Sequence, residues 1–225
     1  MTVAQPASHA ALAEHVIANL GAVVFETVAF PPRLARHAEA PDRYRSGAAG
    51  KWLTNFLTPG ERPYLHQSLA LAELERGSNV VISTATASGK SLCFIAPAVA
   101  EMLEGDGTVL VFYPLKALGA DQRHAWEREL ARAGLPLDLV GEVTGDVPMT
   151  EREQVLQDSR IILATPDVIN AWMMPMAASP LARQFLARLA LVVIDEAHSL
   201  EAVFGSQFAL FFRRLRAAHR RAQRA

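Results

Sequence analysis

The chain has 225 residues, 51% of them hydrophobic and 20% charged, a balance that suits a globular protein with a sizeable core and excludes disorder throughout. Its 22 Lys+Arg against 23 Asp+Glu leave a net charge of -1, so no overall positive field marks a polyanionic partner and any nucleic-acid surface must be local. The single cysteine, Cys93, excludes an internal disulfide and a Cys-rich metal site and fits a reducing compartment, with the cytoplasm as the expected location.

From the N-terminus, Met1 to Ala10 carries no Lys or Arg and leads into an amphipathic segment, unlike a secretory leader. No apolar run approaches the roughly 20 residues of a membrane helix, so the expectation is a soluble protein without a membrane partner. His9 to Leu20 has helical spacing, Pro31-Pro32 breaks the chain, and Ser46-Gly47-Ala48-Ala49-Gly50 reads as a loop. Residues 1–60 read as an N-terminal helical extension without a core of its own, and residues 61–225 as the main domain.

Four runs in the main domain are apolar on both faces: Val80-Val81-Ile82, Val109 to Phe112, Ile161 to Leu163 and Leu191 to Ile194. Absence of alternation is expected where helices cover both sides of a sheet, so these predict parallel strands in a three-layer α/β fold. A further strand is expected near Leu137 to Val143. Between the strands, Lys90 to Leu103 and Ala117 to Ala133 have helical spacing, with Gly105 and Gly134 just beyond as terminators. Thr150 followed by Glu153 has the form of a capping box and predicts a helix to about Asp158.

Thr84-Ala85-Thr86-Ala87-Ser88-Gly89-Lys90-Ser91 follows one of these strands and opens a helix. Small residues there let backbone N–H groups of Thr86, Ala87, Ser88 and Gly89 curl round phosphates, the helix N-terminus adds positive charge, and the Lys90 ammonium reaches the phosphate oxygens. Ser91 would ligate Mg²⁺ through its hydroxyl. Thr84 stands where the general pattern has Gly, and a Gly-Lys-Ser taken alone also suits an exposed helix cap. The second signal is Asp195-Glu196-Ala197-His198, directly after Leu191 to Ile194. An acid pair at a strand's carboxyl end can divide the work, with Asp195 holding Mg²⁺ and Glu196 orienting and deprotonating a water. An isolated Asp-Glu pair is most often a solvated loop; two strand-end motifs that complete one nucleotide site point instead to bound nucleoside triphosphate.

In chain order, Thr86-Ala87-Ser88-Gly89-Lys90-Ser91, Tyr113-Pro114-Leu115-Lys116-Ala117-Leu118, Thr144-Gly145-Asp146, Ala164-Thr165-Pro166-Asp167 and Asp195-Glu196-Ala197-His198 resemble motifs I, Ia, Ic, Ib and II of superfamily 2 DEAD/DEAH-box helicases. The runs continuing through Leu92-Cys93-Phe94 and Val203-Phe204-Gly205-Ser206 look most like the MrfA-type DNA-repair branch. The resemblance covers about Arg62 to Arg216. It implies a first RecA-like domain, ATP and Mg²⁺ as ligands, Lys90 and Glu196 as catalytic residues with His198 coupling to the nucleic-acid side, and DNA rather than RNA as partner. Gln67, in Tyr64-Leu65-His66-Gln67 and 23 residues before Lys90, looks like the glutamine that reads adenine, since a carboxamide matches both donor and acceptor on that base.

The resemblance further implies nucleic-acid contacts at Lys116, Thr144, Gly145, Thr165 and Pro166, where hydroxyls and backbone N–H groups at strand ends can hold phosphates; each alone is equally well a helix cap. It also implies a second RecA-like domain with a Ser-Ala-Thr motif and arginine fingers, none of which occurs by Ala225. A fragment or truncated product is therefore expected, with slow hydrolysis on its own. The alternatives are an RNA helicase of the same superfamily and a non-catalytic nucleotide-binding module. The arginines from Arg213 to Arg224 read as a solvated helix face or as a nucleic-acid arm. Cys93 reads as packing, and Trp52, Trp126 and Trp172 are too scattered for a stacking platform.

Overall fold

A computed structural model describes residues 35–84, 88–113, 116–200 and 202–224. The helix expected at His9 to Leu20 and the break at Pro31-Pro32 lie outside the described residues. Four strands, β1 (Thr108–Phe112), β2 (Val140–Val143), β3 (Ile161–Ala164) and β4 (Leu189–Ile194), form one parallel sheet in the order β2-β3-β1-β4. Val109 pairs with Ile161 on one side and Leu191 on the other. β1 and β3 are buried along their whole length, which is why their sequences do not alternate. The strand expected near Leu137 to Val143 is β2, preceded by a 3₁₀ turn at Leu137–Leu139.

Val80-Val81-Ile82 departs from expectation: residues 78–84 join no ladder among the described residues, and Val81 is 50% exposed. An apolar β-branched run selects an extended backbone, but a strand also needs a neighbour to bond with. Within the described residues β4 is the sheet's edge nearest the acid motif, and it pairs only with β1.

The helices cover both faces. On one lie α1 (Gly47–Phe56), α2 (Leu65–Glu75), α3 (Leu92–Glu104) and α4 (Lys116–Ala133), whose Trp52, Leu71, Val99, Trp126 and Leu130 pack on Val109 and Val111. On the other lie α5 (Met149–Asp158), α6 (Pro166–Val168) continued by a π-helical turn at Ile169–Met173, α7 (Pro180–Ala187) and α8 (Ala202–Ala222). There Phe208 and Phe211 meet the Phe112 ring edge-on at 5.8 and 5.4 Å.

Two local expectations are corrected. Ser46 to Gly50 opens α1 rather than a loop. Its small residues serve close packing: Ala49 is fully buried, and a Cβ on Gly50 would lie 2.8 Å from the Arg45 carbonyl carbon. Residues 40–57, read from sequence as part of an extension, enter the same core as the sheet through Ala40, Tyr44, Trp52 and Leu53. At α5, Thr150 lies inside the helix and Pro148 occupies the cap position without a side-chain cap, because the fixed proline φ starts the turn ahead of the threonine. Gly134, at φ +72°, ends α4 as expected.

Arg160, just before β3, donates from Nη2 to the carbonyls of Glu101, Gly105 and Gly107 at 3.2, 3.0 and 2.9 Å. Its cation thereby closes the C-terminus of α3, where carbonyls lack helical partners. Cys93 is buried within α3, and burial pushes its thiol up to about 12, as packing rather than chemistry requires. Among the described residues no helix is long and apolar enough to cross a membrane.

Phe112→Ala should cost about 3–5 kcal/mol by removing the ring on which the α8 aromatics close. Urea unfolding followed by circular dichroism would measure it.

Candidate active site

All four strands run the same way, so the segments after them emerge at one edge of the sheet. Asp195 extends β4 by one more ladder bond, its N–H donating to the Phe112 carbonyl at 3.0 Å. Ser88, Gly89 and Lys90, after segment 78–84, lie in the same region: the Lys90 charge is felt at the Asp195 carboxyl although 105 positions separate them in sequence. Burial is the larger influence and raises Asp195 above the ordinary carboxylate range, with the neighbouring Glu196 charge adding to it. Opposing these are the Glu196 N–H, which donates to Asp195 Oδ1 at 2.8 Å, and the Lys90 and His198 charges.

Lys90 donates from Nζ to the Thr84 carbonyl at 3.0 Å, and the Thr84 and Ser88 hydroxyls lie 2.5 Å apart. The loop is thus drawn together by its own polar groups around a half-buried ammonium. Gly89 has φ +75°, a conformation that glycine adopts without strain. Ser91 sits at the head of α3, exposed, with no side-chain cap bond, which leaves its hydroxyl for another ligand. Thr86 and Ala87 lie outside the described residues.

Gln67 is buried, and its carboxamide ties two segments together: Oε1 accepts from the Tyr64 N–H at 2.7 Å and Nε2 donates to the Gly89 carbonyl at 2.8 Å. A Cβ on Gly89 would lie 2.6 Å from Nε2, so the glycine is required by contact as well as by φ. Each end of the amide keeps one unused hydrogen-bonding position, sufficient for a donor–acceptor pair on a base.

Sequence reasoning gave no role to Tyr64, which the structure sets against Gly89 and stacks on His66 with ring centroids 5.8 Å apart. His66 bonds the Ser88 backbone, and burial, reinforced by the Lys90 charge, holds its imidazole below the usual histidine range. The only signal for either was proximity to Gln67.

Glu196 and His198 are exposed, with His198 Nδ1 3.0 Å from Glu196 Oε2. Glu196 has φ 49° and ψ 40°, a left-handed conformation costing about 1–3 kcal/mol for a residue with a side chain and concentrated at functional sites. The turn after β4 therefore points the two acids differently: Asp195 inward, Glu196 to solvent.

The other expected residues lie at the ends of the remaining strands. Thr144 and Gly145 follow β2, with Thr144 buried and Gly145 exposed. Arg152, which sequence reasoning missed, holds this turn by donating to the carbonyls of Val147 at 2.9 Å and Thr144 at 3.1 Å, while its guanidinium lies over the Trp172 ring. Thr165 follows β3, and Pro166 occupies the first position of α6 as expected. Among the described residues the buried Thr165 hydroxyl meets no hydrogen-bond partner, so in this conformation it faces the interior rather than a ligand in solvent. Lys116 begins α4. The edge thus carries two groups of residues: Gln67, the phosphate-loop residues and Asp195 near β1 and β4, and Thr144, Gly145 and Thr165 at β2 and β3.

Two substitutions test this arrangement. Gln67→Glu opposes a carboxylate to the Gly89 carbonyl and should lower nucleotide affinity at least about tenfold, the worth of one lost charge-free hydrogen bond plus the repulsion, in a fluorescent-nucleotide titration. Asp195 binds its proton more tightly folded than unfolded, so its ionisation costs stability as pH rises through the folded value. Asp195→Asn should therefore melt higher than the parent at pH 7, with the gap closing as pH falls below the ordinary carboxylate range.

Residues 64–225 match the DEAD/DEAH box helicase family. The chain is 38% identical over 157 residues to the ATP-dependent helicase HRQ1 of Saccharomyces cerevisiae, covering 69% of this chain and 14% of that protein. It is 29% identical over 154 residues to the helicase YprA of Bacillus subtilis, covering 68% and 20% respectively. Among solved structures, the DUF1998 helicase MrfA bound to DNA and AMPPNP superposes with a TM-score of 0.75 at 25% identity, covering 93% of this chain and 29% of that one. The chain thus spans less than a third of each of these relatives, in the region of the first RecA-like domain. The likeness runs through the phosphate loop, the sheet and the acid turn, and the chain belongs to the DEAD/DEAH box helicase family.

Proposed function

We propose that this chain is the ATP-binding half of an ATP-dependent DNA helicase or translocase that couples ATP hydrolysis to strand movement, with a role in DNA repair and a cytoplasmic location. The observation that carries the reading is the 2.8 Å bond by which Gln67 holds Gly89, next to Lys90, whose charge is felt at Asp195 on the same edge. A cation for phosphate, a carboxylate for a metal and a carboxamide for a base then line one edge. The helicase relatives support it, and the MrfA structure with DNA supports DNA over RNA.

In this reading phosphate oxygens take the place of the Thr84 carbonyl on Lys90. Ser91 and Asp195 supply two oxygen donors, a set that suits Mg²⁺, which keeps several waters and takes its remaining ligands from phosphate. Bound there, the cation neutralises phosphate charge. Asp195, kept high by burial, is a carboxyl whose ionisation a neighbouring cation favours. Glu196, exposed and 3.0 Å from His198, orients the attacking water and takes its proton in this reading, and His198 couples the site to the nucleic-acid side. Lys116, Thr144, Gly145, Thr165 and Pro166 are assigned to the nucleic-acid strand, with Arg152 fixing the β2 turn.

Lys90→Ala should abolish stabilisation by Mg-ATP in a thermal-shift titration, because the ammonium at the phosphate loop is lost. Glu196→Gln should retain that stabilisation while steady-state hydrolysis by the whole protein falls by about 10² or more. Equal stabilisation of parent and Lys90→Ala would refute the phosphate-loop assignment. DNA and RNA oligonucleotides compared in the same ATPase assay decide the partner.

A further inference from the structure

Charge in this protein is strongly divided, although the total is only -1. Residues 168–194 and 202–225 contain eight arginines and no Asp, Glu or Lys. These stretches include α7 and α8, which pack on one face of the sheet. The rest of the chain is correspondingly acidic.

Six of those arginines lie on or just after α8. Arg213, Arg216, Arg220 and Arg224 recur at spacings of three and four, so they form one row along the helix, and Arg214 and Arg221 border it. All six are exposed, while Phe208, Phe211, Leu215 and Ala222 form the opposite, buried face. Their partners differ from those of arginines elsewhere. Arg43, Arg62, Arg123 and Arg132 pair with carboxylates, and Arg152 and Arg160 with backbone carbonyls. On α8, Arg214 donates to Asn170 Oδ1 at 2.7 Å, and among the described residues the other five meet neither a carboxylate nor a carbonyl.

Like charges at spacings of three and four repel along a helix by a few tenths of a kcal/mol per pair. A row of four that meets no carboxylate among the described residues works against folding, and an external polyanion removes that repulsion. The row spans about 16 Å at the helical rise per residue, a length over which one strand of a duplex presents about five phosphates. His219 Nδ1 lies 2.7 Å from the Leu186 carbonyl, just before β4. The later part of the row therefore sits toward the amino edge of the sheet, away from Thr144 and Thr165.

We propose that the arginine row of α8 is a second nucleic-acid contact, holding the phosphate backbone of a duplex or displaced strand without reading its sequence, outside the loops at the carboxyl edge. It rests on nucleic acid being the partner. The row has planar, permanently charged donors suited to phosphate, and it acts through charge alone.

The test is fluorescence anisotropy of a labelled duplex and a labelled single strand across a salt series, using the 225-residue chain. Arg213→Gln/Arg216→Gln/Arg220→Gln is compared with Arg36→Gln/Arg45→Gln/Arg62→Gln, which removes the same charge from the opposite layer. The α8 variant should lose about tenfold or more in affinity near 0.1 M salt and its duplex salt slope should shrink by about two to three, while the control keeps the parent's slope. Nucleotide binding and the far-UV spectrum should not change. An unchanged slope, an equal loss in the control, or polyglutamate competing as well as DNA for the same arginines would overturn the proposal, the last assigning the face to an acidic protein. If Thr144→Ala or Lys116→Ala weakens DNA binding while the α8 variant does not, the row fails and the helicase reading stands; a parent that binds no nucleic acid overturns both.

Discussion

The parallel ladder is the constraint from which the rest of this structure follows. Because β1, β2, β3 and β4 run in one direction, each following segment opens at the same edge, and residues remote in sequence gather there. The ladder also sets what it costs to hold them. Asp195 is bonded to the end of β1, whose side chains are buried on both faces, and Lys90 leads into α3, which packs on the same sheet, so the packing core, not the polar loop, bears the cost of keeping a carboxylate partly buried near an ammonium.

Within that frame Gln67 has two tasks that share one side chain. Its Oε1 caps the start of α2 through the Tyr64 N–H, and its Nε2 fixes the carbonyl of the phosphate-loop glycine. A carboxamide can do this and still keep one donor and one acceptor position in reserve; a carboxylate or a hydroxyl cannot. The start of α2 and the loop at Gly89 are therefore not free to adjust separately. The same economy appears at Arg152, which gives its donors to the β2 turn and its face to Trp172.

Much of this was legible in sequence because it depends on local pattern. Doubly buried strands gave unbroken apolar runs, Gly134 marked a helix end, Pro166 a helix start, and the two charged motifs lay directly after strand patterns. What escaped depends on partners. Val80-Val81-Ile82 has the composition of a strand, but composition does not name a neighbour, and 78–84 has none among the described residues. Ser46 to Gly50 has the composition of a loop, yet its small residues are there to let α1 approach the core. The Thr165 hydroxyl looks like a ligand donor in a Thr-Pro pair and is turned inward by the burial of its own residue. The left-handed Glu196 is invisible for another reason: nothing in Asp-Glu-Ala-His calls for a positive φ, which the turn imposes on the chain.

The two groups of residues on the sheet edge are joined by backbone, and this bears on how one could influence the other. Asp195 donates its N–H to the Phe112 carbonyl, and the next residue, Tyr113, donates its own N–H to the Ala164 carbonyl at 3.1 Å, directly before Thr165. Two ladder bonds thus link the acid turn to the β3 loop across the end of β1. Tyr113 is buried and accepts from Trp126 Nε1 at 3.1 Å, so the crossing point is anchored in α4, the helix that Lys116 begins. A shift of the Asp195 backbone must either lengthen the bond to Phe112 or be followed by Tyr113 and Ala164. Buried hydrogen bonds are costly to leave unmade, which makes the second course the cheaper one, and the strand end carries any such movement toward Thr165 and the start of α4.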